Sequence, residues 1–148
     1  ETYLQLSERM STVAAKALIQ TVQDHIDSKV LPQPQNHDGA TFCSEMTRDD
    51  GQIDWTKTAD QIYNLYRGLT PWPGIWTQWN DKRLKLLEIK PVDMIVEQGK
   101  IIAKNGRLLA GCGNNTAIEI LNAQIEGKGP MKAKDFINGF AKLISTNL

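Results

Sequence analysis

Cysteine and histidine are scarce in this chain, with two of each in 148 residues. Cys43 and Cys112 stand far apart and form no metal-ligand spacing with His25 and His37, so no metal site is expected. Without a disulfide framework, the simpler expectation is two free thiols in a reducing, cytoplasmic compartment. Neither histidine has a Ser, Cys or carboxylate in a recognisable catalytic arrangement, and both read as surface residues. No apolar run approaches the ~20 residues of a membrane span. The opening "ETYLQLSERM" lacks a basic stretch followed by an apolar one, so no secretory leader is visible. It also begins on Glu1 rather than methionine, and the expectation is a piece of a longer protein. Net charge is absent too, 17 Lys and Arg against 17 Asp and Glu, far from the strongly basic composition that marks a dedicated nucleic-acid binder.

What remains is an ordinary globular composition, 41% hydrophobic and 23% charged, in a length that suits one domain or one domain plus part of another. The charge is unevenly spread. Residues 1–45 hold 3 basic and 6 acidic side chains, a balance of −3, whereas from residue 82 onward 11 face 6, a balance of +5. That tilt attracts polyanions.

The first third reads as one helix. Thr2 and Gln5 form a capping box, and Leu6, Met10, Val13, Ala14 and Ala17 recur on one face, widened by Leu18, Ile19, Val22 and Ile26. Such a stripe must be buried, and nothing else before residue 45 supplies a partner. Residues 28–40, "SKVLPQPQNHDGA", read as a linker, since Pro32 and Pro34 deny it helix and sheet hydrogen bonds. A second capping box, Thr58 with Gln61, opens a helix over 58–68 that buries Ala59, Ile62, Tyr63 and Tyr66 and stops at Gly68. Beyond it the pattern is β. "IWTQW" and "RLKLLEI" flank Asn80-Asp81 as a hairpin, with a phase switch at Leu86–Leu87 that predicts a bulge. "KIIA" and "RLLAGC" flank Asn105-Gly106 as a second hairpin. "TAIEILNAQI" adds a strand with Ile118, Ile120 and Ala123 inward, and Ala133, Phe136, Ile137 and Phe140 mark a closing helix. About five short strands with flanking helices predict a mainly β fold, a small OB-like barrel.

Candidate chemistry is thin. Asp49, Asp50 and Asp54 lack the alternating ligands and distant bidentate Glu of a calcium loop, and read as a solvated turn. "GCGNN" at 111–115 lacks the third glycine, the Lys and the helix of a phosphate loop. It also reads as a turn. Asn114-Asn115-Thr116 is a glycosylation triplet only in a secreted protein. Basic residues beside aromatics are left: Lys82, Arg83 and Lys85 near Trp76 and Trp79, then Lys128, Lys132 and Lys134 before the last helix. A barrel face of that kind can track a nucleic-acid backbone. The alternative is a hairpin with a solvated charged face and tryptophans in the core. No residue set is catalytic.

The segment "DGQIDWTKTADQIYNLYRGLTPWPGIWT", 50–77, closely resembles a signature of the methionyl-tRNA formyltransferase family: Asp-Gly-x-Ile-x-Trp, a helix, then Arg-Ala-x-x-Pro-Trp-Pro-Gly. "SERMSTVAAKALIQTVQDHI" resembles the last helix of that family's catalytic domain, "LPQPQNHDGATF" its linker, and "GCGNNTAIEILNAQIEGKGPMKAKDFINGF" its closing strands and final helix. The resemblance implies an enzyme that moves a formyl group from 10-formyltetrahydrofolate to the amine of methionyl-initiator tRNA. Its Rossmann-like catalytic domain would be followed by an OB-like barrel that helps hold the tRNA. On this reading residues 1–30 are the terminal helix of the catalytic domain, 31–45 the linker and 46–148 the barrel. The family's catalytic and folate-contacting residues precede the matched stretch. The chain is therefore expected to hold no catalytic, cofactor-binding or metal residue and to be inactive alone, with its own N-terminal domain and initiator tRNA as partners.

With tRNA as the implied partner, the basic residues read above, Lys82, Arg83, Lys85, Lys128, Lys132 and Lys134, together with Arg48, are the expected tRNA-facing set, and Trp55, Arg67, Pro71, Trp72, Pro73 and Gly74 are an expected architectural corner. Trp72 is expected to plug the junction of helix and barrel, and Arg67 either to brace the corner or to face RNA. Two positions depart from the pattern. Glu45 replaces a usual Lys, with Arg48 near enough to compensate, and Lys132 replaces a serine cap of the last helix, giving up ~1 kcal/mol and adding a positive charge. Similar barrels occur in sugar-nucleotide formyltransferases and formyltetrahydrofolate dehydrogenases, and a purely structural lid is the third alternative.

Overall fold

The structure, a computed structural model, describes residues 1–141 and 144, so that the end of the expected 46–148 barrel lies outside the described residues. The chain divides into two compact units, Glu1–Met46 and Thr47–Leu148.

In the first unit, helix α1 runs over Tyr3–Ile26. Its start is the expected capping box: the Thr2 hydroxyl accepts the Gln5 N–H, and the Thr2 N–H donates to the Gln5 side chain at 2.9 Å. No residue of α1 is buried, and Met10, Val13, Leu18, Ile19 and Ile26 all stand exposed along its apolar stripe. The extended segment that follows makes one short turn at His37–Gly39, capped by Asn36, whose side chain accepts the Asp38 N–H at 3.1 Å.

The second unit is mainly β, barrel-like, with flanking helices. Helix α2 spans Ala59–Leu69. The strands are β1 (Ile75–Trp79), β2 (Lys82–Val92), β3 (Ile101–Lys104), β4 (Arg107–Gly111), β5 (Ala117–Ile125) and β6 (Met131–Lys132), and α3 closes at Ala133–Phe140. All ladders are antiparallel, in the order β1-β2-β5-β4-β3, with β6 added to β5. The two hairpins turn where expected. Asn80 and Asp81 take φ of 48° and 59°, Asn105 and Gly106 51° and 71°, the positive values that match a tight turn to strand twist.

The predicted bulge is present, and both partners share it. Pairing jumps from Leu86–Ala123 to Glu88–Asn122 and then to Ile89–Ile120, skipping Leu87 and Leu121. Inward residues therefore change phase on both strands, from Leu84 and Leu86 to Ile89, and from Ile118 and Ile120 to Ala123 and Ile125. This bend curls β2 and β5 around a core of Trp79, Phe136, Ile62, Ile75, Leu84, Leu108 and Ile120. Trp79 packs on Phe136 and Phe140 with ring centroids 5.2 and 5.7 Å apart. A second, smaller core covers the other face of β4 and β5, where Val96 packs with Leu109 and Ala117. Gly111 allows this: a Cβ there would stand 2.0 Å from the Glu97 carbonyl oxygen.

The corner departs from expectation in two ways. Gly68 lies inside α2 rather than ending it. The helix stops at Thr70, whose N–H and hydroxyl both donate to the Tyr66 carbonyl, because Pro71 has no N–H to continue the ladder. Trp72 is 60% exposed and does not plug the junction. The chain turns back at Gly74, φ 75°, whose N–H donates to the Leu69 carbonyl at 2.9 Å, so Pro73 and Ile75 take the buried positions instead. Both X-Pro bonds, Thr70–Pro71 and Trp72–Pro73, are cis.

Candidate nucleic-acid interface

Strand alternation decides which basic side chains meet. Leu84 and Leu86 point into the core, so Arg83 and Lys85, on either side of Leu84, point outward. Opposite them on β1 are Gln78 and Trp76, and Lys85 pairs across β5 with Gln124. Lys132 joins this outer surface through its pairing with Asn122, next to the core-packed pair Ala123–Met131. Arg48 arrives from the segment that runs beside β1: Gln52 bridges Trp76, and the Ile53 N–H donates to the Trp76 carbonyl at 2.8 Å.

Trp76 is the hub of this surface. Its indole N–H donates to the Arg48 carbonyl at 2.9 Å, and the Arg83 guanidinium lies over its ring, 4.3 Å from the centroid. The stacking holds a cation flat on an aromatic face and leaves its N–H edges available to an anion. Beside it a groove of about 180 Å³ is lined by Arg83, Lys85, Gln124, Ile125 and Glu126. Arg83, Lys85, Lys132 and the Arg48 backbone thus share one side of the sheet.

The remaining predicted residues lie elsewhere on the unit. Lys82 pairs with buried Trp79, on the opposite phase from Arg83, at the hairpin end. Lys128 sits in the turn after β5, its ammonium 5.5 Å from the Phe140 ring centroid. Lys134 is exposed in the first turn of α3. Of the corner residues, Trp55 is in the core, its indole N–H donating to the Thr77 hydroxyl at 3.0 Å. Arg67 hydrogen-bonds Asn64 and lies 5.6 Å over the Tyr63 ring. At α3, Lys132 occupies the N-cap position and makes no side-chain cap bond.

Two features had no signal in the sequence. Glu119, on the outer face of β5, is 7% exposed and accepts from Arg107 at 2.6 Å and Lys90 at 3.1 Å. The Arg107 hydrogen bond holds its carboxyl below the ordinary value, against the desolvation that would raise it, and Lys90 adds to the effect. Thr116, just past the "GCGNN" turn, accepts the first N–H of α2, from Ala59, at 2.8 Å. Period-2 alternation marks position 119 only as outward-facing, and a contact spanning 57 residues leaves no local pattern. Cys112 is buried and free, its thiol pushed up to about 12 by desolvation, while Cys43 is free and exposed. Among the described residues no group of three or more His, Cys, Asp or Glu is placed to hold a metal. No described helix is long and apolar enough to cross a membrane.

A family profile described as "Formyl transferase, C-terminal domain" matches residues 45–141, which takes in all of the sheet and α3. The chain belongs to this family. Relatives of the formyl transferase C-terminal domain include proteins named methionyl-tRNA formyltransferase from Koribacter versatilis, 38% identical over 91% of the chain, and from Bacillus pumilus, 37% identical over 90%. A protein of that name from Bacillus subtilis is 34% identical over 90%. The chain spans 43% of the length of each of these relatives. Among solved structures, HypX from Aquifex aeolicus in complex with tetrahydrofolic acid shares the fold at a TM-score of 0.64. That match has 14% identity and covers 87% of this chain and 23% of that one.

Proposed function

We propose that this chain is the C-terminal part of a methionyl-tRNA formyltransferase, and that its barrel holds tRNA for the transfer reaction. The whole enzyme would move the formyl group of 10-formyltetrahydrofolate to the amino group of methionyl-initiator tRNA, in the cytoplasm. The formyl transfer would belong to the part of the enzyme outside this chain, which on this reading contributes positioning and no acyl-transfer residue. Residues 1–30 would be the last helix of the catalytic domain, 31–45 the linker and 46–148 the barrel. The α1 stripe is what a helix docked on a further domain would present.

The observation that carries the RNA role is the outer face itself: Arg83 stacked on Trp76, with Lys85 and Lys132 on the same side of the sheet. Lys82, Lys128 and Lys134 would act as flanking charges around the barrel end, and Arg48 from beside β1. Contacts to phosphate release counterions, so affinity for initiator tRNA should fall by a factor on the order of 10 to 100 between 50 and 200 mM salt if three to four phosphates are engaged. The check is a titration of this chain with an initiator tRNA transcript across that range. Absence of binding at 50 mM salt would leave the unit as a structural lid. Retained affinity in an Arg83→Ala, Lys85→Ala, Lys132→Ala triple variant would move the RNA surface elsewhere.

A further inference from the structure

The Arg83–Lys85 groove contains a side chain that phosphate binding does not call for. Glu126 forms part of its wall, and a carboxylate oxygen accepts the Arg83 backbone N–H at 3.2 Å. The Glu126 N–H donates in return to the Arg83 carbonyl at 2.8 Å. These two bonds extend the β2–β5 ladder one step past its last pair, Leu84 with Ile125, and hold Glu126 directly across from Arg83. Its side chain stays exposed, so the charge is open to an anion that enters the groove on that side. The ladder needs only an acceptor at this position, and a neutral amide or hydroxyl oxygen would serve it as well. The negative charge therefore has no structural purpose in the ladder, and it opposes the two cations that share the groove.

We propose that Glu126 is a selectivity residue of this groove: its fixed negative charge suppresses indiscriminate RNA binding at Arg83 and Lys85. The inference rests on the RNA-binding reading above. An RNA free to slide presents a phosphate to Glu126 in many registers and is repelled in each. An RNA held in one register by contacts elsewhere keeps its phosphate on the Arg83–Lys85 side and meets the carboxylate least. Discrimination then comes from a repulsive element rather than from an added attraction. For like charges about 4 Å apart in water the repulsion corresponds to roughly fivefold in affinity.

The test compares the wild-type chain with Glu126→Gln, which keeps the acceptor oxygen and removes the charge, binding an initiator tRNA transcript and an oligouridylate at 50 mM salt. The expected result is oligouridylate affinity raised roughly fivefold, with initiator tRNA raised less than about twofold. Glu126→Asp, which keeps the charge, should hold the wild-type ratio of the two affinities. An equal rise for both RNAs, or no rise, overturns the proposal, as does relaxation of the ratio by Asp to the same extent as by Gln. If the wild-type chain binds neither RNA, the RNA-binding reading fails and this inference falls with it. If the wild type binds and Gln changes nothing, only this inference is lost.

Discussion

At the scale of single residues, the unit depends on polar groups taken out of water and given partners inside it. The Trp55 indole and Thr77 hydroxyl are such a pair, 3.0 Å apart in the core, with Thr77 4% exposed. Thr77→Val conserves shape and removes the acceptor, leaving a buried N–H that water cannot reach. The expected loss is ~1–3 kcal/mol of unfolding free energy, read from the urea midpoint. Thr77→Ser, which keeps the hydroxyl, should lose less. Close backbone approach is equally unforgiving. At Gly113 a Cβ would stand 1.9 Å from the Thr56 carbonyl oxygen, a contact that no flexible side chain can relieve. Gly113→Ala must push the "GCGNN" turn off the start of α2, and we expect its thermal midpoint to fall by several degrees or more. The glycine looked like ordinary turn chemistry in the sequence, and only the neighbouring chain shows that its missing side chain is the point.

At the scale of elements, most boundaries were legible because local chemistry sets them. Capping boxes start α1 and α2, and Asn80-Asp81 and Asn105-Gly106 turn the hairpins, since short side chains tolerate positive φ. Helix α2 ends beyond the expected Gly68 because glycine and proline signals compete within four residues, and the proline, which cannot donate, prevails. Helix α3 carries a trade-off that can be measured. Lys132 leaves its first turn uncapped, while its charge lies on the outer face. Lys132→Ser should let a hydroxyl accept the Asp135 N–H and stabilise the unit by about 1 kcal/mol. The same change should weaken tRNA binding and reduce the salt slope by about one. Denaturation and binding measured on one sample would show the two effects moving in opposite directions.

At the scale of the whole molecule, the response to acid follows from carboxylates held in partnership. Glu119 titrates below its ordinary value of 4.5 in the folded chain because Arg107, then Lys90, favour the charged form. Its contribution to stability is complete above the unfolded-state value and is lost as pH falls through the lower, folded one. Asp50 and Asp54, lowered by hydrogen bonds from Thr47 and Thr56, act with the same sign. Urea midpoints should therefore drop as pH passes below about 4.5. Glu119→Gln should be less stable than wild type at pH 7, with a gap that narrows towards pH 3. A gap that stays constant would mean that Glu119 contributes through packing rather than through charge.

The sequence by itself determined the helices, the two hairpins, the bulge in β2, and the family signature around the Pro-Trp-Pro-Gly corner, while the matching shift in β5 came from the pairing. Each of the former is encoded within a few residues, by caps, left-handed turns and alternation. It also named Arg83, Lys85 and Lys132 without being able to put them together. Tertiary structure alone decided that they share the side of the sheet where Trp76 lies, that Trp72 faces solvent while Pro73 is buried, and that Glu126 stands across from Arg83. These depend on which strand lies beside which and on how the chain returns after Gly74, and such pairings join residues too far apart in sequence for any local pattern to carry.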